Sequence, residues 1–218
     1  MKKIKVKFIG FAAGVTALSL LLFACSKSFL EKTPIGTLNP STLANSAGVQ
    51  GLLIGAYSGL DGFGVAGAGW QAAASNWVYG GVASDDAYKG SDNGDQPDIN
   101  PIETYSPSPS NGYFNQKWQA VYDGIQRCND VLRTMRLATD IAPTDTPNIT
   151  GQARFLRAHY HFEAKKMWKN VPFVDESITY AAGNYNVTNT ADIWPQIETD
   201  LQYAMDNLPT TQSSVGRA

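Results

Sequence analysis

The chain has 218 residues, with 17 basic against 19 acidic side chains for a net charge of −2, and 43% of it is hydrophobic. That length suits one or two domains with a real buried core, and the lack of a basic excess or basic stripe excludes a nucleic-acid binder. The two cysteines, Cys25 and Cys128, have no zinc-ligand spacing.

Residues 1–24 read as an export signal. Lys2, Lys3, Lys5 and Lys7 form a basic head, an uncharged and mostly apolar run follows from Phe8 to Phe23, and small Ala24 precedes Cys25. A charged head, an apolar stretch and a small residue before the cut describe a secretory signal. A cysteine directly after the cut makes it a lipobox, so Cys25 is expected to carry a diacylglycerol on its thiol and a further acyl chain on its freed amine. Each buried methylene contributes about 0.8 kcal/mol, and several chains together hold a protein on a membrane. The apolar run is shorter than the ~20 residues a spanning helix needs, and no second stretch could cross. Removing the leader takes four lysines with it and leaves 13 basic against 19 acidic residues, with Cys128 as the remaining free thiol. The expected division is a signal peptide at 1–24, a lipidated tether at 25–45 and a folded domain at 46–218.

The tether is polar and contains Pro34 and Pro40. A first helix is expected over 46–60, where Val49, Leu52, Leu53, Ala56, Tyr57 and Leu60 fall at spacings of three and four. A glycine-rich turn at 61–69 and a short helix at 71–79 follow. The stretch 80–111 reads as one long irregular loop, because Pro97, Pro101, Pro107 and Pro109 break helical patterns. Loops of that length are functional or disordered.

The second half reads as helices. Phe114, Trp118, Val121, Ile125, Cys128, Leu132 and Met135 step 4-3-4-3-4-3 and share one stripe. After a loop with Pro143 and Pro147, a helix over 150–169 has Phe155 and Phe162 on one face and Leu156, Tyr160 and Met167 on another, as if sandwiched between neighbours; Pro172 stops it. The last helix, 192–207, has a stripe of Ile193, Ile197, Leu201, Ala204 and Leu208, with Asp192 as N-cap and Pro195 in the first turn. Helix–loop–helix units of this size suggest tetratricopeptide-like hairpins, although the signature repeat pattern is absent.

Four segments, in order, resemble the SusD/RagB family of nutrient-binding outer-membrane lipoproteins. Cys25-Ser-Lys-Ser-Phe-Leu-Glu-Lys-Thr-Pro34 is similar to its lipidated opening. Trp118, Tyr122, Ile125 and Asn129 match its Trp-x3-Tyr-x2-Ile-x3-Asn helix. Ala153-Arg154-Phe155-Leu156-Arg157-Ala158, running into Val171-Pro172-Phe173-Val174, matches its Ala-Arg-Phe-Leu-Arg-Ala helix. Ile197, Asp200, Leu201 and Ala204 through Leu208-Pro209 match its Ile-x2-Asp-Leu-x2-Ala helix. Lys169-Asn170 depart from the Phe-Gly pair common before Val-Pro.

The resemblance implies a mainly α fold of tetratricopeptide-like helix hairpins with long irregular loops. Family members are longer, and Gly216-Arg217-Ala218 is similar to the start of the segment leading into the next helix pair, so the expectation is the N-terminal part of a longer protein. The implied role is capture without catalysis. A lipoprotein anchored in the outer membrane, facing outward, holds glycan or peptide over a TonB-dependent, SusC-like transporter and needs no cofactor.

Sugars are recognised by aromatic faces that stack on C–H surfaces and by carboxylates and amides that bond hydroxyls. The candidate ligand residues are Trp70, Trp77, Tyr79, Asp85, Asp86, Tyr88, Asp92, Asn93 and Tyr105, with Tyr88 foremost. Each also has a structural reading: the tryptophans as core of a short helix and the aspartates as turn caps. Asp92-Asn93-Gly94-Asp95 lacks the alternate-ligand spacing of a calcium loop, so no metal is expected. Arg154 and Arg157 suit anchoring of neighbouring loops by hydrogen bonds, with loop carboxylates or the transporter as other partners. His159 and His161, two apart on a helix, point to different faces and make no ligand pair. Against capture stand two alternatives: a hydrolase, which needs a placed carboxylate pair, and a helical scaffold that binds only protein. Loop aromatics facing solvent favour capture over the scaffold.

Overall fold

The structure, a computed structural model, describes residues 40–61, 69–73, 76–189 and 192–218, and of Pro40, Gly69 and Trp70 the backbone alone. The signal, Cys25 and the tether as far as residue 39 lie outside the described residues.

A four-residue helix α1 (Pro40–Leu43) turns into α2 (Ser46–Ser58), so the last part of the expected tether is helical. Asn45 caps α2, its side-chain oxygen accepting from the Gly48 N–H at 2.9 Å, one of the donors a helix start leaves without an internal partner. A 3-10 turn, Gly59–Asp61, closes α2. The long helices α5 (Gly112–Met135), α6 (Thr146–Trp168) and α7 (Trp194–Asn207) follow an insertion. Each long helix packs on the one before it in the order α2, α5, α6, α7, giving two helix pairs in the tetratricopeptide manner.

The expected stripes form the core. Val49, Leu53 and Ala56 of α2 meet Ile125, Cys128 and Leu132 of α5 and Ile149, Ala153, Leu156 and Tyr160 of α6. Val121, Ala158, Ala164, Val171, Ile193 and Ile197 carry the core across to α7. Cys128 is a fully buried core residue, and burial pushes its thiol well above the usual range.

Some boundaries differ from expectation. α6 begins at Thr146 because Pro147 occupies its first turn, where a missing N–H costs nothing. It lies between α5 and α7 as its two apolar faces require, but Phe155 and Phe162 remain 37% and 38% exposed. Asp192 stands one residue ahead of the cap position and accepts from the Trp194 N–H at 2.9 Å. In place of one short helix at 71–79 there is α3 (Gly69–Ala72), then a wide π-type turn Val78–Val82. Between them Asn76 takes a left-handed φ of 49°, which breaks the helix. The expected irregular stretch holds a 3-10 turn Pro97–Ile99 and α4 (Asn100–Glu103), with Pro97 and Pro101 in first-turn positions and Pro107 and Pro109 in loop.

Gly124 is where α5 lets α6 approach. A Cβ there would lie 2.6 Å from Tyr160 ring carbons, and Tyr160 is pinned because its hydroxyl donates to the Ala56 carbonyl at 2.7 Å. Gly124→Ala gains about 1 kcal/mol of helix propensity but forces overpacking that costs about 1–3 kcal/mol. A lower urea midpoint is expected, and a midpoint at or above wild type would contradict this close packing.

Candidate functional site

The family-like segments converge on a buried network. Arg157, 3% exposed, grips Asp200 of α7 with two parallel bonds, Nε to Oδ2 at 2.7 Å and Nη2 to Oδ1 at 2.9 Å. Its Nη1 donates to Asn129 Oδ1 at 3.0 Å and to Glu176. Arg154 adds a 2.6 Å bond to Asp200 Oδ1. Asn129 donates to the Val174 carbonyl and the Tyr122 hydroxyl to the Pro172 carbonyl, so the strip after α6 is stitched beneath α5. His161 completes it: one ring nitrogen lies 3.0 Å from the Arg157 carbonyl, and Nε2 accepts from the Val174 N–H at 3.1 Å. Nε2 is therefore the unprotonated nitrogen. Burial, with the nearby Arg157 charge, lowers the His161 pKa to about 4. These motif residues hold helices together; the arginines anchor a strip and a neighbouring helix.

A second buried cluster fixes the insertion. Lys117, 1% exposed, donates to Asn76 Oδ1 at 2.7 Å and to the Ala72 carbonyl at 3.2 Å, and lies 3.4 Å from Glu163. Asn76 in turn donates to Glu163 at 2.7 Å. Burial pulls Lys117 below its ordinary pKa, with Glu163 opposing. Burial alone would raise Glu163, but bonds from Lys166 and Asn76 and the Lys117 charge hold it below the usual carboxylate range.

The insertion has its own small core, in which Val78, Val82, Ile99 and Ile102 pack with Tyr113 of α5. Around it the candidate residues separate. Trp77 and Tyr79 pack inward against this core, and the Tyr79 hydroxyl lies 2.8 Å from both the Gln71 and Tyr113 carbonyls. Trp70 lies on α3, with its side chain outside the described residues. Asp92 closes a turn, its Oδ1 accepting from the Gly94 and Asp95 N–H groups at 2.7 and 3.0 Å, while Lys89 clamps the Asp92 and Asp95 carbonyls. Exposed Asn93 accepts from Asn100 through its carbonyl.

Asp85, Asp86, Tyr88 and Tyr105 face outward. Asp86 takes a bond from the Ser84 hydroxyl. Tyr88 is 72% exposed and Tyr105 69%, and among the described residues neither ring meets another ring. Asp85 and Tyr105 sit at left-handed φ values of 68° and 56°. That conformation costs an L-residue about 1–2 kcal/mol and gathers at functional sites. Among the described residues no ring contact joins Tyr88 and Tyr105, so the outward set is a loop surface.

Two further exposed aromatics, Tyr180 and Tyr185, are absent from that candidate set; their rings meet at a tilt, with centroids 4.8 Å apart. Their signal was two tyrosines in an Ala-Ala-Gly-Asn stretch with no apolar period. Among the described residues no group of three or more His, Cys, Asp or Glu is placed to hold a metal ion, and no helix is long and apolar enough to cross a membrane.

Comparison with known proteins bears on the whole chain. A family model for SusD-like proteins, described as starch-binding and associating with the outer membrane, matches residues 29–217. SusD-like protein P2 of Formosa agariphila is 26% identical over 217 residues, covering 98% of this chain and 40% of that protein. The chain thus spans about two fifths of that relative's length. A laminarin-binding SusD-like protein superposes with a TM-score of 0.65 at 22% identity, over 80% of this chain and 37% of the other. Surface glycan-binding protein A from Bacteroides thetaiotaomicron, in complex with laminarihexaose, gives 0.60 at 20% identity, over 80% and 36%. At these identities the two structures show a shared fold. The buried Arg157–Asp200–Asn129 network, the paired helices around it and the family match over nearly the full length lead to one conclusion: the chain belongs to the SusD/RagB family of SusD-like proteins.

Proposed function

We propose that the protein is a surface-exposed, lipid-anchored binding protein that captures glycan and delivers it to a TonB-dependent, SusC-like outer-membrane transporter, with no catalytic step. The observation that carries this reading is Tyr88, 72% exposed beside the exposed carboxylates of Asp85 and Asp86 on a loop that has its own core. A flat exposed ring offers a stacking face for a sugar, and adjacent carboxylates bond its hydroxyls. Asn93 and strained Tyr105 extend the same loop surface, while Trp77, Tyr79 and Asp92 hold it in shape. The description of the family as starch-binding and the glycan-binding names of its relatives support glycan as cargo. The Cys25 lipid anchor follows from the lipobox, and the outward orientation from the resemblance to the family.

The test is affinity electrophoresis of the full chain, acyl anchor removed, in native gels cast with starch or laminarin. Retardation in one polysaccharide, reduced about tenfold in apparent affinity by Tyr88→Ala, is expected, the size of one lost aromatic contact. Equal retardation of both proteins would move the site off this loop.

A further inference from the structure

We propose that the groove between Tyr180, Tyr185 and the outer face of α5 is a second sugar-binding site, taking a short run of a neutral oligosaccharide. The inference rests on the reading of the protein as a glycan binder and adds a site to it. The groove holds about 380 Å³ and is lined by Gln126, Asp130 and Arg133 of α5 and by Val174, Ile178, Thr179 and the two tyrosines, with none from 76–105. It is therefore separate from the Tyr88 loop.

The rings lack a packing role. Tyr180 is 85% exposed and Tyr185 57%, and they meet each other at 4.8 Å with a tilt of 38°. Yet the loop that carries them is tightly built. Asp175 Oδ1 accepts from the Ser177 N–H and hydroxyl at 2.9 and 2.6 Å. Asn184 accepts from the Thr179 N–H at 2.8 Å and donates to the Ser177 carbonyl at 3.0 Å. The Gly183 N–H reaches the Tyr180 carbonyl at 3.1 Å, in a left-handed turn with φ 69° that suits glycine. The loop base is fastened by Glu176, whose side chain takes Arg136 and Arg157 and whose carbonyl takes Arg133 at 3.2 Å. A fold that fixes a loop this firmly and leaves its two largest rings in water presents a preorganised aromatic face.

The polar groups beside the rings select the ligand. Asp130 Oδ1 accepts from Gln126 Nε2 at 3.0 Å and Arg133 Nη2 at 2.9 Å, which leaves Asp130 Oδ2 and Gln126 Oε1 as acceptors for hydroxyl groups. The Asp130 and Arg133 charges cancel within this pair, so the groove has no excess charge to hold an acidic ligand. Stacking rings with neutral-balanced acceptors match the C–H faces and hydroxyls of a neutral sugar. The volume sits at the small end of the usual range of about 300–1,000 Å³ for small-ligand pockets, hence a short run.

Isothermal titration of the full chain, acyl anchor removed, with maltohexaose and laminarihexaose tests the site. Tyr180→Ala and Tyr185→Ala are each expected to weaken binding about tenfold, the loss of one aromatic contact. Tyr180→Phe, which keeps the ring, is expected to stay within about twofold of wild type, and none of the three should shift the thermal midpoint, because the rings are exposed. Wild-type binding that both alanine variants retain in full would overturn the site and leave the glycan-binding reading standing. Failure of wild type to bind these hexasaccharides or any neutral glycan on an array would overturn both.

Discussion

Replacing Arg157 by methionine is expected to lower stability by about 3–5 kcal/mol, because it removes one partner of a buried ion pair and strands the other. Asp200, 1% exposed, would keep Arg154 alone, and the fully buried Asn129 would lose its donor. For a domain of this size that corresponds to a Tm lower by roughly 6–20 °C. Arg157→Lys is expected to recover little, since an ammonium keeps the charge but not the two-pronged grip on Asp200. In the double variant Arg157→Met with Asp200→Leu the Asp200 carboxylate is no longer stranded, so the combined loss should fall well short of the sum of the single losses. Arg136→Ala is the control: its guanidinium pairs with the same Glu176 but is 61% exposed, and such pairs contribute about 0–1 kcal/mol. Chemical denaturation of wild type, these four variants and Asp200→Leu alone decides the matter; an Arg157→Met loss no larger than that of Arg136→Ala would show the network to be dispensable.

Stability is also expected to fall on mild acidification. The folded-state pKa of His161 is lowered to about 4 from an ordinary 6.5, so the unfolded chain takes up the proton first. His161 therefore contributes fully above pH 6.5, and its contribution is lost as pH falls from 6.5 through 4, to a total of about 3 kcal/mol. The cause is geometric as well as dielectric. Protonating Nε2 sets one N–H against the Val174 N–H and adds a cation close to Arg157. Asp200 and Asp175 oppose this effect but do not outweigh burial. His159, also lowered by burial, adds in the same direction. Glu163 and Glu176, both held below the ordinary carboxylate range, begin to matter only below about pH 4.5. Urea melts at pH 7, 6, 5 and 4.5 should show a steady decline. His161→Gln, which keeps an acceptor for the Val174 N–H but has no proton to gain, should flatten it, and an unchanged slope in that variant would assign the decline elsewhere.

The long helices were legible because their cores are periodic. The α5 stripe from Phe114 to Met135 buries Val121, Ile125, Cys128 and Leu132 as its spacing requires. Prolines mislead where they start a helical turn: Pro97, Pro101 and Pro147 read as loop although, like Pro195, they stand in first turns. The motif arginines were legible as anchors, but their chief partner could not be read. Asp200 lies 43 residues from Arg157, and only the packing of α7 on α6 brings the two together. The candidate loop was found from its composition, which cannot tell a buried ring from an exposed one; Tyr79 and Tyr88 read alike in sequence and face opposite ways. Tyr180 and Tyr185 went unseen because a loop held by local hydrogen bonds needs no apolar period.

The central claim is capture of glycan, and the most direct measurement is a glycan array probed with the full chain, acyl anchor removed. Retention by one class of neutral polysaccharide is the result this account predicts. Retention by no glycan would contradict it, binding confined to peptide then pointing to peptide as the cargo and binding confined to a protein partner to the helical-scaffold alternative.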